Sequence, residues 1–148
     1  ELQERRTYSC FVVTQKEKSI KIGKEGKNFV QGLHLIEDYS TLREVKGQCA
    51  FMGDVTGIVK IVQVPADMDK MVQGDILVSQ ATSPDLLPAM RKAGAIVTNT
   101  GGIICHAAIT SRELKIPCVV GTAKATLVFK DGEKVHVDAT NGIVRKLN

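Results

Sequence analysis

The sequence predicts an α/β fold built from short strands, hairpins and two main helices. Three apolar runs, Ile76–Val78, Ala95–Val97 and Cys118–Val120, stand between glycine-bearing or polar boundaries, as strands buried on both faces do. Stretches rich in Ala, Leu, Arg and Glu lie between these runs and carry helix-start and helix-stop residues. The dipeptides Asp131-Gly132 and Asn141-Gly142 mark hairpin turns late in the chain.

The length of 148 residues suits a domain of ordinary size, and a hydrophobic content of 43% is enough for a core. The 20 basic and 16 acidic residues are mixed along the chain and leave a net charge of +4. No apolar stretch is long enough to span a bilayer and no signal-peptide pattern is present, so a soluble cytoplasmic protein with no membrane partner is expected. The absence of an initiating Met suggests a piece of a longer chain. Four cysteines without regular spacing fit buried free thiols in a reducing compartment. Lys16, Lys18, Lys21, Lys24 and Lys27 form a basic patch without interleaved aromatic residues, which favours a solvated hairpin over nucleic-acid binding.

Residues 1–42 are expected to be a linker or the tail of a preceding domain. Tyr8–Thr14 and Ser19–Ile22 read as a hairpin, and Phe29, Val30, Leu33 and Ile36 follow helical spacing, with His34 structural or exposed. Residues 43–148 form the second unit. Gly47, Gly53 and Gly57 are expected to break its start into short strands, one of them Gly57–Val62, and Asp67–Val72 reads as a helical turn. Ser83 and Pro84 suit the cap and first position of a helix running to about Ala93, with Leu86, Leu87, Met90 and Ala93 on its apolar face. Leu127–Phe129, Lys134–Ala139 and Ile143–Arg145 read as strands joined by the two hairpin dipeptides. Val135, Val137 and Ala139 would face the core, leaving His136 on the other face and outside the site.

The stretch from Gly94 to Thr122 carries the chemistry. Thr98-Asn99-Thr100-Gly101-Gly102 supplies a turn whose glycines permit positive φ and close backbone approach to a ligand. A helix follows from about Cys105 to Leu114, limited by Pro117. His106 falls in its first turn, where free N–H groups and the positive end of the helix dipole favour an anion, including a phosphate carried on the imidazole. No set of His, Cys, Asp or Glu has zinc spacing, so no metal is expected here. A nucleophile and a capping or packed histidine both fit the residues. No GxxxxGK[ST] loop is present, so ATP would bind elsewhere. The junctions at Thr82 and at Gly101–His106 both follow strand ends and are expected to meet at one site.

The run TGG-x-x-C-HAA-I-x-SREL-x-IP-x-VVGT, with the upstream segments KGQCAFMGDVTGIVKIV and GDILVSQATSPDLLPAMRKAGAIVT, resembles the phosphohistidine domain of the phosphoenolpyruvate-utilising enzymes across roughly residues 45 to 146. The resemblance implies a swivelling β/β/α domain that relays a phosphoryl group from ATP through His106 as covalent nucleophile. It implies that Thr82 hydrogen-bonds the histidine, and that Thr100, Gly101, Gly102 and Cys105 bind phosphate or orient the ring. Arg112 and Glu113 match the family's Arg-Glu pair; they would sit beside the site, dock the mobile domain, or form a solvated surface pair. No cofactor is expected in this domain, with ATP and magnesium held in other domains. Its partners would be an ATP-binding domain and an acceptor-binding domain of the same parent chain. Pyruvate leads as acceptor, with an antibiotic, phenol or glucan hydroxyl as alternatives. The other class of reading is a noncatalytic docking or ligand-sensing module, against which the intact His106 argues. Two positions depart from the family pattern. Asn99 stands where many members have Asp, and Ile104 stands where a regulatory Thr is common.

Overall fold

The computed structural model describes residues 9–13, 18–32, 39 and 41–147. The chain divides into two compact units, Glu1–Asp38 and Tyr39–Asn148.

In the first unit β1 (Ser9–Val13) and β2 (Lys18–Ile22) form an antiparallel pair, and α1 (Gly23–Gly32) follows without a loop. The helix thus starts well before the segment whose spacing predicts it. Glu25 in its first turn complements the dipole and accepts an ion pair from Lys21 at 2.6 Å, while the Lys21 ammonium lies 5.3 Å from the Phe29 ring centre. Lys16, Leu33, His34 and Ile36 lie outside the described residues.

The second unit is an eight-stranded sheet in the order β3-β10-β9-β5-β6-β7-β8-β4. Its strands are β3 (Glu44–Lys46), β4 (Gln48–Phe51), β5 (Asp54–Ile61), β6 (Ile76–Ser79), β7 (Ala95–Thr98), β8 (Cys118–Val120), β9 (Lys134–Asp138) and β10 (Ile143–Lys146). The run β5-β6-β7-β8 is parallel, and every other pairing in this sheet is antiparallel. Three of these four strands, β6, β7 and β8, are the apolar runs of the sequence, because a strand covered on both faces has no polar side to show. Period-two alternation then sorts them. Ile76, Val78, Ala95, Val97 and Val119 join Val135, Val137 and Phe129 in one core, and Leu77, Ile96, Cys118 and Val120 join Leu86, Met90, Ala107 and Ala108 in the other. The second core is therefore the seat of α2 (Leu87–Lys92) and α3 (His106–Leu114).

Several elements differ from the sequence reading, each for a local reason. The helix expected from Pro84 to Ala93 is broken into a 3-10 turn, Pro84–Leu86, and α2. Pro88 has no N–H to continue the ladder from Pro84, and Ser83 leads the turn without a side-chain cap. Leu127–Phe129 is not a strand: Ala125–Val128 forms a helical turn, α4. Asp131-Gly132 accordingly joins no hairpin; the Asp131 carboxylate accepts from the Ile61 N–H at 2.6 Å and from Lys70 at 3.0 Å, tying this turn to the end of β5. Gly57 sits inside β5 rather than ending a strand. A Cβ there would lie 2.8 Å from the Gly74 carbonyl oxygen, so the bare backbone admits the neighbouring chain. The expected turn near Asp67 is a 3-10 turn, Pro65–Lys70, and the N–H groups of Gln63 and Val64 hold the Asp67 carboxyl below its ordinary range. Asn141-Gly142 does join β9 to β10, with Gly142 at φ 68°. His136 lies on the outer face of β9, where it meets Asp54 at 2.8 Å.

Among the described residues, two exposed ones other than glycine hold positive φ, Lys115 at 55° and Ala123 at 63°. Lys115 is the left-handed C-cap of α3, where glycine carries no Cβ penalty. Lys115→Gly and Ala123→Gly are each expected to raise stability by roughly 0.5–1 kcal/mol, read as an upward shift of the denaturant midpoint. Among the described residues no helix is long and apolar enough to cross a membrane.

Candidate functional site

The parallel register sets Ser79 beside Thr98, so the carboxyl ends of β6 and β7 finish side by side. The two chains leaving them are latched together. Thr100 donates to the Gln80 carbonyl through its N–H at 3.0 Å and its hydroxyl at 2.9 Å. The Asn99 amide nitrogen donates to Gln80 Oε1 at 2.7 Å and Thr126 Oγ1 at 2.6 Å, while its oxygen accepts the Thr126 N–H at 3.0 Å. Asn99 is 4% exposed and thus a buried amide with its partners in place.

Beyond the latch the chain makes two tight turns into α3. Gly101 has φ 114°, and a Cβ there would lie 2.7 Å from Cys105 Sγ. This position has both the conformation and the close approach that call for glycine. The Cys105 N–H closes the next turn on the Gly102 carbonyl at 3.0 Å, with Ile103 and Ile104 at its tip. Cys105 is the N-cap residue, without a side-chain cap, and His106 is the first residue of the helix.

His106 is half-buried, with its two ring nitrogens in different surroundings. Nδ1 lies 2.9 Å from Thr82 Oγ1, a hydrogen bond, and Nε2 lies 3.5 Å from Thr110 Oγ1, at the outer edge of one. The Thr82 hydroxyl therefore fixes the ring plane and leaves Nε2 as the less engaged nitrogen. Thr110 went unnoticed in the sequence, although its spacing of four residues from His106 puts it on the same helix face.

The other candidates are placed as follows. Cys105 stacks on Gly101. Thr100 is spent on Gln80 and reaches no atom of His106 by a hydrogen bond. Gly102 faces open space, so no packing demands its missing side chain. Arg112 Nε donates to the Ala50 carbonyl at 3.2 Å and its terminal nitrogen to the Ile103 carbonyl, which clips the turn before α3 to β4. Glu113 is exposed. Among the described residues no three His, Cys, Asp or Glu side chains gather to hold a metal ion.

Cys118 lies under α3, and burial pushes its thiol up to about 12, outweighing a hydrogen bond from Ser111 that acts the other way. Cys49, in contrast, is exposed, so the four thiols are not uniformly buried. A thiol reagent at pH 8 is expected to label Cys49 in the folded protein and Cys118 only after unfolding, as mass spectrometry of the labelled peptides would read.

Residues 71–142 match the model of the PEP-utilising enzyme mobile domain. The chain is 51% identical over 100 residues to a probable phosphoenolpyruvate synthase of Methanothermobacter thermautotrophicus, covering 68% of this chain and 15% of that protein. It is 44% identical over 109 residues to the phosphoenolpyruvate synthase of Pseudomonas aeruginosa, covering 74% of this chain and 14% of that protein. It thus spans only a small part of the length of these relatives. Among solved structures, Thermococcus kodakaraensis aconitase X in its holo-form superposes with a TM-score of 0.57 at 24% identity, over 71% of this chain and 98% of that one. At that identity the likeness is one of fold. The match to the family model runs through both strand-to-helix junctions and takes in Thr82, Gly101 and His106, and on it the chain belongs to the PEP-utilising enzymes as their mobile domain.

Proposed function

We propose that this domain carries a phosphoryl group on His106 within a multidomain phosphotransferase resembling phosphoenolpyruvate synthase. The observation that carries the reading is the imidazole at the first position of α3 with Nδ1 held by Thr82. A ring nitrogen attacks phosphorus only through a free lone pair. With the proton on Nδ1 and donated to Thr82 Oγ1, the lone pair stands on Nε2. Nε2 forms the bond to phosphorus as the nucleotide oxygen leaves, and the same bond breaks when an acceptor oxygen attacks. One difficult transfer becomes two easier ones. The free N–H groups at the start of α3, with the turn at Gly101 and Gly102, supply fixed positive charge near the transferred group.

ATP and magnesium belong to another domain in this reading, and a further domain of the same parent chain presents the acceptor. The names of the relatives favour pyruvate as that acceptor, with phosphoenolpyruvate as product. Antibiotic, phenol and glucan hydroxyls would use the same carrier.

The test is labelling of the full-length protein with ATP radioactive at the β- or the γ-phosphorus. Acid-labile, base-stable label from the β-position, absent in His106→Ala, supports the relay. No label in a protein shown to bind ATP overturns it. Thr82→Val is expected to slow charging about tenfold through loss of one oriented hydrogen bond, and Thr82→Ser to stay near wild type.

A further inference from the structure

β6 and β7 are apolar until their last residue, and each ends on a hydroxyl. Ser79 and Thr98 are paired in register and both are 0% exposed, in strands whose other residues are Ile, Leu, Val and Ala. A hydroxyl buried in such a place costs stability unless it is bonded. Both are bonded, and in the same way. Ser79 Oγ donates to the Ala81 carbonyl at 2.7 Å, and Thr98 Oγ1 donates to the Thr100 carbonyl at 2.8 Å. The ladder between the strands is made by backbone groups, so each hydroxyl serves the chain that leaves its strand.

A carbonyl held in place fixes the whole planar peptide to which it belongs. For Thr98 that peptide joins Thr100 to Gly101, where the turn into α3 begins. For Ser79 it joins Ala81 to Thr82, whose hydroxyl meets His106 Nδ1 at 2.9 Å. Neighbouring bonds stop one residue short of it: the Gln80 N–H donates to Gln63 Oε1 at 3.0 Å, and the Gln80 carbonyl accepts from Thr100.

We infer that Ser79 is a positioning residue for phosphoryl transfer: it fixes the Ala81–Thr82 peptide so that the Thr82 hydroxyl stays on Nδ1 and the nucleophilic lone pair stays on Nε2. The inference rests on the carrier reading of His106. Without the Ser79 hydroxyl the Ala81 carbonyl is free to turn to water, since Ala81 is exposed, and the Thr82 peptide turns with it. Hydrogen bonds weaken steeply as their angle closes, so the bond to Nδ1 loosens. The ring then samples both tautomers, and Nε2 holds its lone pair for part of the time.

The experiment is a double-mutant cycle on the full-length protein, read as label taken from ATP per minute. Ser79→Ala is expected to slow charging roughly three- to tenfold at unchanged ATP affinity. Added to Thr82→Val, it is expected to slow charging no further, because the hydroxyl that it aims is already gone. Charging equal to wild type in Ser79→Ala overturns the inference. So does a double variant slower than Thr82→Val, which is what a general loosening of β6 would give. A second reading does without ATP. Phosphoramidate phosphorylates imidazole from solution, a ring nitrogen bonding to phosphorus as ammonia leaves, and alkaline digestion of the His106 peptide preserves both phosphohistidine isomers for chromatography. Wild type is expected to carry phosphorus on Nε2, and Ser79→Ala to carry a larger share on Nδ1; an unchanged share overturns the inference. Failure of the carrier reading looks different, because wild type then takes no label from ATP while the isomer ratio still responds to Ser79→Ala.

Discussion

Gly101→Ala is expected to reduce charging of His106 roughly a hundredfold, the loss that follows from displacing a reacting group by about 1 Å. Two strains coincide at this residue. An L side chain rarely adopts φ 114°, and the new Cβ would stand 2.7 Å from Cys105 Sγ and 3.1 Å from Cys105 Cβ. The chain relieves both by moving Cys105, and His106 is the next residue. A second substitution separates the strains. Cys105→Ala removes the sulfur but neither the backbone conformation nor the Cβ contact, so Gly101→Ala/Cys105→Ala should recover part of the charging rate and not all of it. Full recovery would show that the backbone conformation costs nothing, and no recovery that the sulfur is immaterial. Label incorporated per minute from ATP measures all three variants.

Asn99→Leu is expected to lower stability by about 2–3 kcal/mol, because it leaves the half-buried Thr126 N–H and hydroxyl without their partner. For a unit of this size that is a fall of roughly 10 °C in Tm. Asn99→Asp should cost far less. Its carboxylate still accepts the Thr126 N–H, the Thr126 hydroxyl can turn to donate, and the exposed Gln80 amide can rotate to present its nitrogen. Thermal unfolding of the two variants side by side distinguishes a requirement for hydrogen bonding at this position from a requirement for neutrality.

The parallel strands and α3 were legible because their signals are local: short apolar runs, paired glycines, a proline limit. The residues that escaped sequence reading take their state from distant partners. Leu127, Val128 and Phe129 are apolar and good strand formers, yet the segment turns helical with its Thr126 N–H bonded to Asn99, 27 residues back in the chain. Arg112 is another case: its carbonyl partners on Ala50 and Ile103 carry no side-chain signature. Pro88 was legible in principle, since it breaks the helical ladder on which Leu86, Leu87, Met90 and Ala93 are spaced. The nearness of Thr82 to His106 follows from their two strand-end junctions, and their hydrogen bond from resemblance, while the nearness of Thr110 was available from helical spacing alone.

The edge made by β3 and β10 bears on how the second unit folds. Arg145 and Glu44 are bonded there across 101 positions of chain, so the pair closes a loop that contains almost everything else in the sheet. A short strand at an edge gains little until the strands between are assembled, and closing so long a loop carries the greatest entropic cost in the unit. This edge should therefore form last and open first, and the amide of Val45 should exchange its hydrogen faster than those of Val78 and Val97 in the sheet's middle.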